Sequence, residues 1–192
     1  MTDPNRPYVS RVVVAIIGSD QPGVVARSAQ VLTACHCNIC EMTQQALHGQ
    51  FACILLVDKP EGLSNEAIAS GLTEAFKANG LHLSVVTRDY VNPVWEKQDA
   101  QPFVMSIWGP DRNDIITEFS AMCAAKGANI EGLRAFPIEL GQSLQVIEVA
   151  VPADVDLPAW HKELLAKAES MGLKLSMQHE HIFEAIHRVR TE

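Results

Sequence analysis

Hydrophobic positions along this chain change period in a fixed order, and they do so twice. The β-branched run at 12–17 reads as a short strand buried on at least one face, and the run at 103–108 is its counterpart. A helical stretch follows each. Ile115, Ile116, Phe119, Met122 and Cys123 fall at i, i+1, i+4, i+7 and i+8, matching Val24, Val25, Ser28, Val31 and Leu32, so one face of each helix is expected to pack inward. Asn38-Ile39 and Asn129-Ile130 then open a second strand. It turns at Gly49 or Gly141 and returns through 51–57 or 144–151, which predicts a hairpin. A second helix carries Ile68, Leu72, Ala75 and Phe76, or Trp160, Leu164, Ala168 and Met171, and stops at Gly80 or Gly172. The last strand alternates cleanly in the second copy, with Leu173, Leu175 and Met177 on one face and Lys174, Ser176 and Gln178 on the other.

The repetition extends to individual residues. Ile16, Gly18, Asp20, Asn38 and Ile39 return as Ile107, Gly109, Asp111, Asn129 and Ile130, each displaced by 91 positions. Later marks slip by one: Gly49-Gln50 returns as Gly141-Gln142, Pro60 as Pro152, and Gly80-Leu81 as Gly172-Leu173. The slip falls between Ile39 and Gly49, and a bulge in the second strand is the expected way to absorb it. The order β-α-β-β-α-β is that of a ferredoxin-like unit, so the fold class is α+β, with two tandem units. The expected boundaries are 8–91 for the first domain, 92–101 for a linker marked by Pro93 and a polar run, 102–183 for the second domain and 184–192 for a tail.

Composition narrows the function classes. A chain of 192 residues with 47% hydrophobic and 20% charged positions can close two modest cores, and no apolar run approaches the length of a membrane span. No signal-peptide core follows Met1, and five cysteines make an odd number for a disulfide framework, so a cytoplasmic, reducing location is expected. A formal net charge of −8 argues against direct nucleic-acid binding, which needs clustered Lys and Arg. Any effect on gene expression is expected to pass through a protein partner.

Asp20 and Asp111 stand just ahead of a helix, where a carboxylate can cap free N–H groups, and Pro22 suits an early helical position. A turn ending in a helix N-terminus can equally take a ligand carboxylate, with Asp20 or Asp111 meeting its ammonium. Asn38 and Asn129 suit the left-handed turn into the second strand, or could add a donor and an acceptor. His36 occupies the place of Gly127, where a non-glycine residue with positive φ would be strained by about 1 kcal/mol. Cys35, Cys37 and Cys40 flank His36 closely enough to suggest zinc or oxidant sensing, although free cysteine is also a common small core residue. His179 and His181 do not form a His-Glu-x-x-His site.

The stretch Gly18-Ser19-Asp20-Gln21-Pro22-Gly23-Val24, followed by Asn38-Ile39, Glu41 and Gln44, resembles the opening half of an ACT domain. Two such domains with nothing else attached resemble the glycine-cleavage-system transcriptional repressor group, and the resemblance covers nearly the whole chain. It implies a noncatalytic regulator that senses an amino acid where the loop after the first strand faces a neighbouring ACT domain. The implied ligand-binding residues are Asp20, Gln21, Pro22, Gly23, Val24, Asn38 and Ile39 in the first unit. In the second they are Asp111, Arg112, Asn113, Asn129 and Ile130. The second loop, Asp111-Arg112-Asn113-Asp114, departs from the pattern by lacking the glycine and adding a carboxylate, so the first repeat is expected to bind more tightly. No Walker A loop, dinucleotide glycine pattern or Gly-x-Ser-x-Gly elbow marks an enzyme, and no metal or cofactor is expected. A transcription regulator or metabolic enzyme is the expected protein partner. Sheet edges in such small units point to a homodimer.

Overall fold

A computed structural model describes residues 8–91 and 99–183, which divide between two compact units, 1–93 and 94–192. The segment expected as a linker lies mostly outside the described residues, and the expected tail lies wholly outside them. The first unit runs β1 (Tyr8–Ser19), α1 (Val24–Ala34), β2 (Asn38–Leu47), β3 (Gln50–Pro60), α2 (Asn65–Ala78) and β4 (Leu83–Asp89). The second repeats this as β5 (Gln101–Pro110), α3 (Ile115–Ala125), β6 (Asn129–Ile138), β7 (Gln142–Val151), α4 (Leu157–Ser170) and β8 (Lys174–His179). Their sheets are ordered β2-β3-β1-β4 and β6-β7-β5-β8, antiparallel throughout. This is the ferredoxin-like unit built twice.

Alternation along the central strands decides which face is covered. Val12, Val14 and Ile16 of β1 and Phe51, Leu55 and Val57 of β3 are buried with Ile68, Leu72 and Phe76 of α2. The second core gathers Met105, Ile107, Ile147 and Val149 with Phe119 of α3 and Trp160 and Leu164 of α4. Each such side chain contributes roughly 1.5–3 kcal/mol through burial. One exchange distinguishes the cores. The first has Ser28 in its helix and Phe51 in its sheet; the corresponding positions of the second hold Phe119 in the helix and Ser143 in the sheet, and all four are buried. Val25 and Ile116, expected on the packed helix faces, are instead each 42% exposed.

Three backbone details locate differences between the copies. Both second strands carry a bulge, at Cys40 and at Glu131, in equivalent places. The extra residue of the second copy is therefore not a bulge, contrary to expectation. It sits in the turn: β2 and β3 are joined by His48-Gly49, both with positive φ as a two-residue hairpin turn requires, whereas β6 and β7 are joined by the 3₁₀ segment Glu139–Gly141. The final strands also differ, because Leu83 pairs with Gly18 whereas Leu175 pairs with Ile107, a register shift of two residues. A shift of two keeps every side chain on its own face.

All four long helices end with the same 6→1 bond, exemplified by Cys37 N–H donating to Leu32 O and Ala128 N–H to Cys123 O. The left-handed residue is glycine at three of these ends and His36, with φ 56°, at the fourth. His36→Gly is expected to raise stability by about 1 kcal/mol by removing the Cβ strain of that conformation. Urea unfolding monitored by circular dichroism checks it, and a variant no more stable than the parent would show that the imidazole offsets the strain.

Candidate ligand site

Each loop after a first strand is held by its backbone. Asp20 N–H donates to Gly49 O and Asp111 N–H to Gly141 O, both at 2.8 Å, so the loop leans on the tip of the neighbouring hairpin in both units. Helix α1 starts late: its N-cap is Gly23, with φ 100°, and no side chain caps it. Pro22 lies ahead of the helix rather than inside it, and Asp20 does not cap it. Arg27 N–H donates to Gly23 O at 2.8 Å, which leaves Val25 and Ala26 with the N–H groups directed out of the helix end. Asp20, Gln21, Pro22 and Gly23 are exposed, Val24 anchors the helix in the core, and a Cβ added at Gly23 would meet nothing within 4 Å. The backbone there is open to an approaching group.

The second loop is built differently. Asp114, not Asp111, is the N-cap of α3, and it makes no side-chain capping bond either. Arg112 instead grips it, donating Nε to Oδ1 at 2.9 Å and Nη2 to Oδ2 at 2.7 Å. These bonds hold the Asp114 carboxyl below its ordinary range. The added carboxylate is thus already matched by a guanidinium, which weakens the charge argument against this loop. Asp111, Arg112 and Asn113 are exposed, and Ile115 is buried beside them. The other two helices contrast with both loops: Ser64 caps α2 by accepting from Ala67 N–H, and Asp156 caps α4 by accepting from Ala159 N–H, each at 3.1 Å. Of the helices α1 to α4, the two adjoining the candidate loops are the two without side-chain caps.

The asparagines do not join these loops within a unit. Asn38 opens β2 opposite Asp58, whereas Ser19 at the end of β1 pairs with Gln50. Eight residues of β3 separate those rows, or about 27 Å of extended chain. Asn129 likewise pairs with Ala150, at the far end of β7 from Gln142. The left-handed residues are His36 and Gly127, not the asparagines. Ile39 and Ile130 pack against their respective cores.

The cysteines face different surroundings. Cys37 packs against the first core, and burial pushes its thiol from an ordinary 9.0 to about 11. Cys40, the bulge residue, lies 3.9 Å from Arg11 Nη2, beside the Arg11–Asp58 pair of 2.6 Å; burial first, then Asp58, raises its pKa. Cys35 ends α1, its N–H bonded to Val31 O. Among the described residues no three potential metal donors converge. Cys123, in the second core, is likewise pushed up to about 11 by burial.

These thiols predict an alkaline weakness. Below about pH 9 the thiols of Cys37 and Cys123 are protonated whether the chain is folded or not, and their contribution is intact. As pH rises through 9 toward 11 the unfolded chain loses those protons first, so stability falls, by roughly 3 kcal/mol as a ceiling for fully buried Cys123. Unfolding curves at pH 8 and pH 10.5 measure the loss, and Cys123→Ala is expected to flatten it.

Sequence reasoning did not single out two concavities in the second unit. One, of about 280 Å³, is lined by Phe103, Leu157, Pro158, His161 and Met177. The other, of about 220 Å³, shares Phe103, Leu157 and Pro158 and extends to Gln101, Val151 and Asp156. They lie at the start of β5, opposite the end that leads to Asp111. The Leu157-Pro158 helix start was the available signal.

The ACT-domain family profile matches residues 10–86, which spans β1 through most of β4. A UPF0237 protein of Methanosarcina mazei is 31% identical over 81 residues, covering 42% of this chain and 88% of that relative. The chain belongs to the ACT-domain family. Among solved structures, an unknown protein from Galdieria sulphuraria superposes with a TM-score of 0.73 at 24% identity, covering 88% of this chain and 98% of the other. A candidate glycine cleavage system transcriptional repressor superposes at 0.63 with 16% identity, covering 88% and 96%. At these identities the likeness speaks for the fold, which both share over most of their lengths. Within the ACT family frame, the second unit keeps the architecture while replacing the Pro-Gly of its loop with Asn113-Asp114. Among the described residues no helix is long and apolar enough to cross a membrane.

Proposed function

We propose that this ACT-domain protein is a noncatalytic regulator that senses a small amino acid and signals through a protein partner such as a transcription regulator or metabolic enzyme. In this reading it acts in the cytoplasm as a homodimer, without direct contact with nucleic acid or membrane, in keeping with a net charge of −8. The observation that carries the ligand assignment is the missing cap: α1 and α3 lack the side-chain acceptor that α2 and α4 possess. A ligand carboxylate can take the Val25 and Ala26 N–H groups, while the exposed Asp20 carboxylate meets the ammonium. The half-exposed Val25 supplies an apolar flank. A ligand that also reached Asn38 would draw it from a second ACT domain, because about 27 Å separates the two places within one.

A thermal-shift panel of the amino acids tests this. One or a few should raise the melting temperature with a concentration dependence that follows mass action, about 2.7 kcal/mol of stabilisation at a hundredfold excess over Kd. A panel in which none shifts the transition would refute the sensor reading and leave a ligand-free dimerisation module.

A further inference from the structure

Among the described residues of the first unit no helix covers one face of its sheet, and that face is apolar at its centre. Ile17, Ile54 and Val86 are 58%, 54% and 62% exposed, which is unusual for three large side chains on adjoining strands. The register arranges the face into three rows. Thr43, Ile54, Ala15 and Val86 form the middle row across β2, β3, β1 and β4. Gln45, Ala52, Ile17 and Ser84 form the row on one side, and Glu41, Leu56, Val13 and Arg88 the row on the other.

We propose that this face is a homodimer surface, onto which the same face of a second copy packs about a two-fold axis running along the strands between β3 and β1. This deepens the homodimer reading by naming its surface, and it is independent of ligand binding. Such an axis lays β2 over β4 and β3 over β1 of the other copy, so each row meets itself reversed. Glu41 then faces Arg88, and the ion pair forms twice. In the middle row Ile54 meets Ala15; in the next, Ala52 meets Ile17, so a large side chain opposes a small one in both. Val86 comes over Thr43, between two shallow depressions of about 180 Å³ each, which share Thr43 and Ile54. Large against small is how two sheets interdigitate at about 10 Å separation, and a modest crossing angle is within reach of the long Glu41 and Arg88 side chains. An isologous contact of this kind closes on itself and ends at two copies.

The second unit is not built for this contact. Ser106 and Ser176 replace Ala15 and Val86 in its middle row, and Glu148 occupies the place of Leu56. The second unit's open face has apolar residues of its own, Trp108 and Phe136, but it lacks both the pairing of large with small side chains in the middle row and the Glu41 and Arg88 charges, so this particular contact belongs to the first unit.

Sedimentation equilibrium of the full chain at 1–50 µM tests the surface. The parent should be a dimer, and Ile54→Asp, which alters an exposed position and leaves the core intact, should raise the dimer dissociation constant at least about 100-fold. Glu41→Arg alone should weaken the dimer by placing two arginines together, as should Arg88→Glu alone by placing two glutamates together. The double exchange Glu41→Arg with Arg88→Glu should restore it, which a general loss of folding could not mimic. A parent dimer that Ile54→Asp leaves unchanged, or a double exchange no tighter than the single variants, would overturn this surface while leaving the homodimer reading in place. A monomeric parent would overturn both.

Discussion

Gly18→Ala is expected to destabilise the first domain by about 3 kcal/mol. Gly18 lies near the end of the central strand β1, paired with Phe51 on one side and Leu83 on the other. A Cβ there would come within 2.9 Å of Leu83 Cα and closer still to the His82 carbonyl oxygen. Those atoms are backbone, so relief requires β4 to move rather than a side chain to rotate. For a domain of this size the melting transition should fall by roughly 15 °C. Gly62→Ala is the comparison: it has φ 80° but nothing within 4 Å of its added Cβ, so only conformational strain is introduced, about 1 kcal/mol. Thermal unfolding of the two variants separates crowding from strain, and equal losses would show that the close approach of β4 is readily relaxed.

The second large effect concerns recognition. If the 20–23 loop receives a ligand carboxylate, Gly23→Asp should weaken binding by at least about tenfold, because a second carboxylate stands at the uncapped start of α1 and competes for the same N–H groups. Gly23→Asn introduces nearly the same volume and backbone demand without the charge, and either residue tolerates the left-handed conformation. The difference between the two variants, read by calorimetry with whichever amino acid shifts the melting transition, reports the electrostatic part alone. Cys35→Ala, Cys37→Ala and Cys40→Ala should leave that affinity nearly unchanged. Equal affinities for Gly23→Asp and the parent, with the fold intact, would remove the first loop from the site.

Periodicity and the internal repeat sufficed for the element order, the packed faces of α2 and α4, and the positive φ of His36, because each of these follows from local sequence. The details that escaped were symmetric or compensated. The bulges at Cys40 and Glu131 occur in both copies at the same offset, so comparing the copies could not expose either one. The shift of β8 relative to β4 is two residues, and an even shift leaves an alternating pattern unaltered. The arrangement of the candidate site residues is set by three-dimensional contacts and was not legible along the chain. Asp20 precedes α1 in sequence, yet its N–H is spent on the Gly49 carbonyl and its side chain makes no cap. Asn38 belongs to the same motif as Asp20 but lies at the opposite end of the sheet, a separation fixed by hairpin register rather than by spacing along the chain. The pairing of Arg112 with Asp114 likewise turns an apparent excess of negative charge into a matched pair.

Two similar domains on one chain face a hazard during synthesis, since a helix from one half can dock on the sheet of the other and trap a misassembled hybrid. The exchange of Phe51 and Ser28 for Ser143 and Phe119 works against that error. A hybrid joining the first sheet to α3 would place buried phenylalanines at both exchanged positions, Phe51 and Phe119, whereas its reciprocal would place serines at both, Ser28 and Ser143. Overfilling a core costs about 1–3 kcal/mol and underfilling it a comparable amount, which disfavours both hybrids. The two interiors thus hold serine and phenylalanine in exchanged places, so a helix and a sheet taken from different halves would not reproduce either native pairing.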